Sequence, residues 1–207
     1  MPDFDIAVIG LGAMGSASTD ALALRGANVV ALDRYEPPHA MGSTHGHTRI
    51  IREAYYEHPL YVPLVRRAYE RWHELEQFAR EPLLVQTGGV MAGPEKGALF
   101  SGALESARAH SIEHEILTAT QLRARYPAFD PRDGWLGLVE KRAGFLKPER
   151  CVSAMLARAG RNGATLRTGE TGESWRRDRD GIRLTTDSST LVVDRLVVAA
   201  GPWLPSL

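Results

Sequence analysis

The sequence predicts an α/β fold in which a Rossmann-like dinucleotide-binding domain is interrupted by a smaller α+β domain. Three observations predict it: an apolar run at 6–9 enters a glycine-rich turn, a second apolar run at 29–32 ends in Asp33, and the middle third has no nucleotide-binding pattern. Such runs are typical of strands buried on both faces of a parallel sheet. We therefore expect residues 1–80 and 149–207 to form the dinucleotide-binding domain, with 81–148 inserted between them.

The turn after the first strand has the spacing G-x-G-x-x-G. Gly10 permits the tight bend, Gly12 lets a diphosphate approach the backbone, and Gly15 allows the helix to pack closely on the strand. Ala13 and Met14 begin the helix, whose free N–H groups and dipole favour an anion. The turn predicts dinucleotide binding, with a purely structural strand–helix–strand unit as the alternative.

Asp33 stands at the end of the second strand, where a carboxylate can accept hydrogen bonds from a ribose diol. The same charge would repel a 2′-phosphate, which disfavours a phosphorylated nicotinamide cofactor. We place the next residue, Arg34, at the same cofactor site.

Composition limits the classes of function. The 207 residues are 43% hydrophobic and 24% charged with zero formal net charge, which is typical of globular proteins and gives no sign of nucleic-acid or membrane binding. Arginines gather at 175–183, but interspersed aspartates favour a solvated hairpin. The single cysteine, Cys151, excludes an internal disulfide and favours a reducing compartment. The chain begins almost directly in its first strand, so we expect a cytoplasmic location.

The remaining elements follow from periodicity. Two prolines and two glycines in 34–52 exclude a regular helix there, so an ordered loop is predicted. Apolar residues at three- and four-residue steps, including Leu64, predict a helix from Tyr61 to Phe78 whose apolar face covers the sheet. Further on, the patterns predict helices at 95–110, 119–126 and 148–159. They predict strands at 83–87, 90–92 and 135–140, just before Lys147, and at 164–168 and 196–200. Between the last two strands, a meander of short strands is predicted around turns at 180–181 and 187–189.

Several segments are similar to one known family. They are GLGAMG in the opening turn, GSTHGHTRIIR at 42–52, TGGVMAGP at 87–94, GFLKPE at 144–149 and the closing VVAAGPW. Together they resemble the monomeric sarcosine oxidase and N-methyltryptophan oxidase family of FAD-dependent amine oxidases. Its members are longer than this chain, so the resemblance covers their N-terminal half and implies a fold that is incomplete at the C-terminus.

The resemblance implies that the cofactor is FAD, with its ADP part at the opening turn and its flavin extended toward the inserted, substrate-binding domain. Gly42 and Ser43 would then lie along the pyrophosphate and flavin. Gly201 would provide a second close approach of backbone to cofactor, since glycine leaves room for a ligand. The alternative for Gly201 is an ordinary turn at a strand end.

Three basic residues match residues that line the flavin in the family. Arg52 corresponds to the arginine that binds the substrate carboxylate, a task suited to the guanidinium fork. Arg49 would place positive charge beside the flavin, and His45 would lie near it. The alternatives are solvated surface arginines and a histidine that makes a local hydrogen bond.

The sequence also departs from the family. Thr44 and His47 stand where many members have a histidine and an aspartate, and the family's covalent flavin cysteine and oxygen-activating lysine belong to the half that is not in this sequence. Cys151 does not match that cysteine and is predicted to be a small packed residue. The histidines at 39, 47 and 58 lack a fixed geometry, so no metal site is predicted.

The resemblance implies oxidation of a small secondary amine or N-methyl amino acid by dioxygen, giving an imine, then aldehyde and amine, with hydrogen peroxide. Two alternatives remain. A non-catalytic half-length flavoprotein, either truncated or completed by a partner chain that supplies the C-terminal half, is favoured by the apolar run at 196–200, which later elements of the fold would cover. A NAD-dependent dehydrogenase rests on the glycine pattern alone.

Overall fold

The computed structural model describes residues 2–206, and the chain divides into two compact units. The first unit contains the chain up to His47 and from Lys147 onward, and the second is Thr48–Leu146. In chain order the elements are β1 (Phe4–Ile9), α1 (Ala13–Ala23), β2 (Val29–Asp33), β3 (Arg49–Ile51), α2 (Tyr61–Ala79), β4 (Leu84–Gln86), β5 (Gly89–Pro94), α3 (Ala98–Ala109), β6 (His114–Thr118), α4 (Ala119–Arg125), β7 (Trp135–Glu140), β8 (Gly144–Leu146), α5 (Pro148–Arg161), β9 (Thr165–Thr168), β10 (Gly172–Asp178), β11 (Gly181–Thr186), β12 (Thr190–Val198) and a 3₁₀ helix (Gly201–Ser206).

The first unit contains a six-stranded sheet in the order β10-β11-β12-β1-β2-β9. Strands β12, β1, β2 and β9 are parallel, while β10 and β11 form an antiparallel hairpin at one edge. Every residue of β2 is buried, as expected for a central parallel strand. This parallel core confirms the Rossmann-like fold predicted from the sequence.

A buried ion pair joins the two helices of the first unit. Nε and Nη2 of Arg158 in α5 donate to the two carboxylate oxygens of Asp20 in α1, at 2.9 and 2.6 Å. The two side chains are only 10% and 7% exposed. Two parallel hydrogen bonds to one carboxylate fix the relative position of α1 and α5.

The second unit is built from two antiparallel three-stranded sheets, β3-β8-β4 and β5-β7-β6. Tyr69 of α2 packs against the first sheet through Ile51 and Leu84. Phe100 of α3 packs against the second sheet through Met91 and Leu138, among other residues. These contacts form separate clusters of buried side chains within the unit.

Several sequence-based boundaries differ from the structure. The second unit begins at residue 48 rather than 81, because β3 pairs with β8 and α2 packs on that sheet. The segment predicted as a loop at 34–52 therefore ends in a strand, and β6 was not predicted. Leu64, placed on the apolar face of α2, is 67% exposed. Assigning the first unit to the cofactor and the second to the substrate remains a prediction.

The closing segment also differs in detail. A single strand, β12, includes the apolar run at 191–193 and most of the run at 196–200, which the sequence predicts as separate. Residues 196–200 are half-buried, whereas a buried run was expected. Cys151 is buried near the start of α5, in agreement with its predicted packing role. Within residues 2–206, no helix combines the length and the apolar character that membrane crossing requires.

Candidate functional site

A cavity of about 240 Å³ lies in the first unit at the carboxyl ends of β1, β2 and β12. This edge is where open α/β sheets bind their ligands. It is lined by residues 9–14, 32–35, 37–39, 42–44, Val152, 170–172 and 199–203. The cavity thus brings together Gly10, Gly12, Ala13, Met14, Asp33, Arg34, Gly42, Ser43 and Gly201 from the sequence-predicted cofactor site.

The glycines of the opening turn keep backbone close to backbone. Gly10 has φ +90°, and a Cβ there would lie 2.6 Å from the carbonyl oxygen of Ala199. A Cβ on Gly15 would lie 1.7 Å from the carbonyl oxygen of Gly10, so Gly15 is needed for close packing of helix on strand. Gly12 is different, because a Cβ there would meet only Thr44, at 3.3 Å. Gly10 and Gly15 therefore shape the turn, while Gly12 leaves room in the cavity wall.

Among residues 2–206, three N–H groups face the carboxylate of Asp33. Oδ2 accepts the N–H of Leu11 at 2.7 Å, and Oδ1 accepts the N–H of Tyr35 at 2.9 Å. Nδ1 of His39 accepts the N–H of Met41, so its Nε2 carries the ring proton and faces Oδ1 of Asp33 at 3.2 Å. A carboxylate offers about four acceptor positions, so one position remains for a ligand hydroxyl.

One wall of the cavity is formed by aromatic residues that the sequence reasoning did not assign to the site. Nε1 of Trp203 donates to the carbonyl oxygen of Met41 at 3.1 Å, and Cζ of Arg34 lies 5.4 Å from the Trp203 ring. Tyr35 contacts both His39 and Trp203. The Trp203 ring therefore connects the start of the 3₁₀ helix to the loop after β2.

The loop that carries Gly42 and Ser43 also contacts the first turn of α1. Oγ1 of Thr44 accepts the N–H of Ala13 at 3.1 Å. Thr44, noted above as a departure from the family pattern, thus supports the glycine turn directly. Gly201, which also lines the cavity, has φ +54°, and among residues 2–206 no atom beyond its chain neighbours lies within 4 Å of an added Cβ, so this position faces open space.

Glu170 contributes a carboxylate to the cavity lining that was also not predicted. Its Oε1 accepts hydrogen bonds from Thr186 at 2.6 Å and Ser189 at 3.1 Å. Burial raises the pKa of Glu170, but the hydroxyls of Thr186, Ser188 and Ser189 outweigh burial and lower it on balance. The cavity therefore includes an ionised carboxylate that is fixed by a turn of the β11–β12 connection.

The three basic residues matched to the flavin site fall in different parts of the chain. His45 is exposed in the loop of the first unit and is not among the residues that line the cavity. Arg49 and Arg52 belong to the second unit, in β3 and directly after it. Nη1 of Arg49 donates to the carbonyl oxygen of Thr48 at 2.8 Å.

Arg52 already binds a carboxylate within its own unit. Its Nη2 donates to both oxygens of Glu57, each at 2.9 Å. Its Cζ lies 4.6 Å from the ring centroid of Tyr55 and 4.9 Å from that of Tyr56, within cation–π range. Burial raises the pKa of Glu57, but its hydrogen bonds, including one from Arg52, lower it on balance. The guanidinium is therefore held beside an ionised carboxylate.

Two buried carboxylates lie next to this segment. Oε1 and Oε2 of Glu140 accept the N–H groups of Glu53 and Ala54, each at 2.7 Å. Glu53 is itself 2% exposed and pairs with Arg66 and Arg142. Burial raises the pKa of Glu140, and the two N–H donors only partly offset this. The backbone N–H groups that follow Arg52 are thus bound by a buried carboxylate.

Residues 5–207 match the family described as FAD dependent oxidoreductase. Monomeric sarcosine oxidase of Streptomyces avermitilis is 41% identical over 100% of this chain and 54% of its own length. N-methyl-L-tryptophan oxidase of Salmonella heidelberg is 33% identical over 99% of this chain and 55% of its own length. The chain thus spans about half the length of the curated relatives it matches.

Solved structures give the same result. The open form of NikD, an unusual amino acid oxidase essential for nikkomycin biosynthesis, has a TM-score of 0.85 and 28% identity over 99% of this chain and 53% of its own. The resemblance to FAD-dependent amine oxidases is confirmed, and FAD rather than NAD is the cofactor of the family. On the basis of a match over nearly its whole length, this chain belongs to the FAD-dependent oxidoreductase family.

Proposed function

We propose that this chain binds FAD and takes part in the oxidation of a small secondary amine that carries a carboxylate, such as an N-methyl amino acid. FAD, when bound, would accept the equivalent of a hydride from the carbon beside the amine nitrogen and pass the electrons to dioxygen, giving hydrogen peroxide. The imine product would hydrolyse to an aldehyde and an amine. The relatives named monomeric sarcosine oxidase and N-methyl-L-tryptophan oxidase support this choice of substrate class.

The observation that carries the proposal is the cavity beside the glycine turn. In our assignment, the backbone at Gly10, Gly12, Ala13 and Met14 faces the diphosphate, and the free acceptor position of Asp33 binds a ribose hydroxyl. The adjoining lining residues would complete the site, namely Arg34, Gly42, Ser43 and Gly201. Gly15 supports the turn without lining the cavity.

In the second unit, Arg52 would bind the substrate carboxylate in place of Glu57. Breaking the Arg52–Glu57 pair should cost little free energy, because Glu57 is 39% exposed and exposed ion pairs contribute little to stability. Arg49 would supply positive charge near the flavin, and His45 would lie close by, both as the family resemblance implies.

The test is an anaerobic reduction of the FAD-loaded full chain. We expect N-methylglycine to bleach the visible flavin absorption, and air to restore it with formation of hydrogen peroxide. Dimethylamine, which lacks the carboxylate, should not bleach it. Replacement of Arg52 by Met should raise the concentration needed by about tenfold or more, the effect of losing a charge-assisted hydrogen bond.

The outcomes separate the alternatives. A chain that binds FAD but is not reduced by N-methyl amino acids would contradict the proposed oxidation and support the non-catalytic alternative. A chain that does not bind FAD would contradict the cofactor site itself.

A further inference from the structure

The two backbone N–H groups directly after Arg52 are bound by a buried carboxylate. Both oxygens of Glu140 accept N–H groups from Glu53 and Ala54 at 2.7 Å, and Glu140 is 1% exposed. These partners are separated by 87 and 86 positions in sequence, so β7 fixes the chain where it leaves β3. We propose that Glu140 is a positioning residue that orients Arg52 for binding a substrate carboxylate. This inference rests on the proposed role of Arg52.

Charge-assisted hydrogen bonds make Glu140 a strong anchor. A carboxylate that accepts two backbone N–H groups binds them about twice as strongly as a neutral acceptor would. Glu140 lies at the last position of β7, which pairs with β5 on one side and β6 on the other. A side chain fixed in the middle strand of a sheet cannot follow movements of the segment it binds.

The orientation of Arg52 depends on this segment. The residues that contact its guanidinium, Tyr55, Tyr56 and Glu57, all follow the two anchored N–H groups within a few positions. Nε of Arg52 is buried, and among residues 2–206 it has no hydrogen-bond partner. Within residues 2–206, the contacts of the guanidinium therefore come from this one short segment, whose Tyr55 carbonyl also accepts the hydroxyl of Ser106 in α3.

The second unit also supplies a matched control. Oε1 of Glu76 in α2 accepts the N–H groups of Leu83 and Leu84 at 2.8 and 2.9 Å. Glu76 therefore also anchors two successive backbone N–H groups, through one oxygen rather than two, at a place that is not next to Arg52. A general loss of stability should affect both variants, whereas loss of Arg52 orientation should affect only one.

The experiment titrates the full chain with sodium acetate at constant ionic strength and follows the backbone amide resonances of residues 53–57 by NMR. We expect their response to acetate to disappear in Arg52→Met and the acetate affinity to fall about tenfold in Glu140→Gln. Glu76→Gln should keep the affinity within about twofold, as for an independent site. In the Arg52→Met background, Glu140→Gln should cause no further loss.

The outcomes distinguish the positioning role of Glu140 from the binding role of Arg52. Wild-type affinity in Glu140→Gln, with binding lost in Arg52→Met, would overturn the positioning role alone. Unchanged acetate binding in Arg52→Met would overturn the proposed function of Arg52. If Glu140→Gln does not fold, Glu140→Asp is compared with Glu76→Asp: a larger loss of affinity in the first supports the role, and equal losses overturn it.

Discussion

Two buried charged sites, one in each unit, are satisfied in different ways. In the first unit, Asp20 and Arg158 form a closed pair with both side chains almost fully buried. In the second, Glu53 and Glu140 are buried, while Arg66 and Arg142, which pair with Glu53, are 42% and 53% exposed. Asp20 and Arg158 thus satisfy each other, whereas Glu140 is bound by backbone N–H groups, as Asp33 is in the first unit.

A buried charge can therefore serve either packing or position. The closed pair of Asp20 and Arg158 joins two helices. A carboxylate bound to backbone N–H groups fixes a segment and the side chains that the segment carries. We therefore expect substitutions in the Asp20–Arg158 pair to change stability and those around Arg52 to change anion binding.

The largest effect should come from opening the closed pair. Arg158→Met leaves Asp20 buried without its partner, and breaking such pairs costs about 3–5 kcal/mol. Arg142→Met is the control, because the half-exposed Arg142 shares Glu53 with Arg66 and its loss should cost far less. Urea denaturation of both variants measures the free energy of unfolding. Equal losses of stability in the two variants would contradict the distinction between the closed Asp20–Arg158 pair and the half-exposed partners of Glu53.

The next effect concerns the glycine turn, where we expect a loss of binding with little loss of stability. Gly12→Val would place methyl groups in the cavity wall, and we expect the affinity for FAD to fall about a hundredfold, as for steric misplacement of about 1 Å. Fluorescence titration with FAD measures this. Gly160→Ala, inside α5, should keep FAD affinity and slightly raise stability. A Gly12→Val protein that binds FAD normally would contradict the site.

Replacement of Glu76 should cause a smaller, pH-dependent loss of stability. Burial raises the pKa of this carboxyl, but the N–H groups of Leu84 and Leu83 and the ring of His73 lower it on balance. A lowered pKa in the folded state contributes stability above the unfolded pKa and loses it as pH falls. Glu76→Gln should therefore cost about 1–3 kcal/mol at pH 7.

The same difference should shrink as the pH falls below about 4.3, where glutamate protonates in the unfolded chain. Denaturation curves of wild type and Glu76→Gln at several pH values provide the measurement. A difference that stays constant down to acid pH would mean that the ionised carboxylate is not what binds the two N–H groups.

The smallest effect should follow removal of the internal partner of Arg52. Glu57→Gln leaves the guanidinium without a competing charge, so acetate affinity should rise about two- to threefold, in the range of an exposed ion pair. Glu70→Gln, which removes an exposed carboxylate paired with Arg67, should not change it. NMR titration with acetate compares the two. Weaker binding in Glu57→Gln would mean that Glu57 helps to hold acetate rather than competing with it.

The two sites differ in how much the sequence could predict. Gly10, Gly12, Gly15 and Asp33 could be predicted because their spacing and their place after apolar runs are local properties. The fold class was predictable for the same reason. The contacts of these residues with Ala199, Thr44 and His39 lie outside that local pattern.

Other parts depend on contacts between distant segments. Strand β3 has three residues, too few for a periodic pattern, and exists because it pairs with β8 nearly a hundred positions later. Glu140 ends a strand like many exposed glutamates, and only the fold brings it to the N–H groups after Arg52. Trp203 meets Met41 through a similar tertiary contact. No local sequence pattern predicts these tertiary contacts.

The central claim is that the cavity beside the glycine turn holds the ADP part of FAD. The most direct measurement is an amide NMR spectrum of the labelled 22.7 kDa chain recorded during titration with FAD. We predict shifts for the N–H groups of Gly12, Met14, Asp33 and Gly42, with the same resonances shifted by ADP alone. FAD binding that leaves these resonances unchanged would contradict the assignment of the cavity.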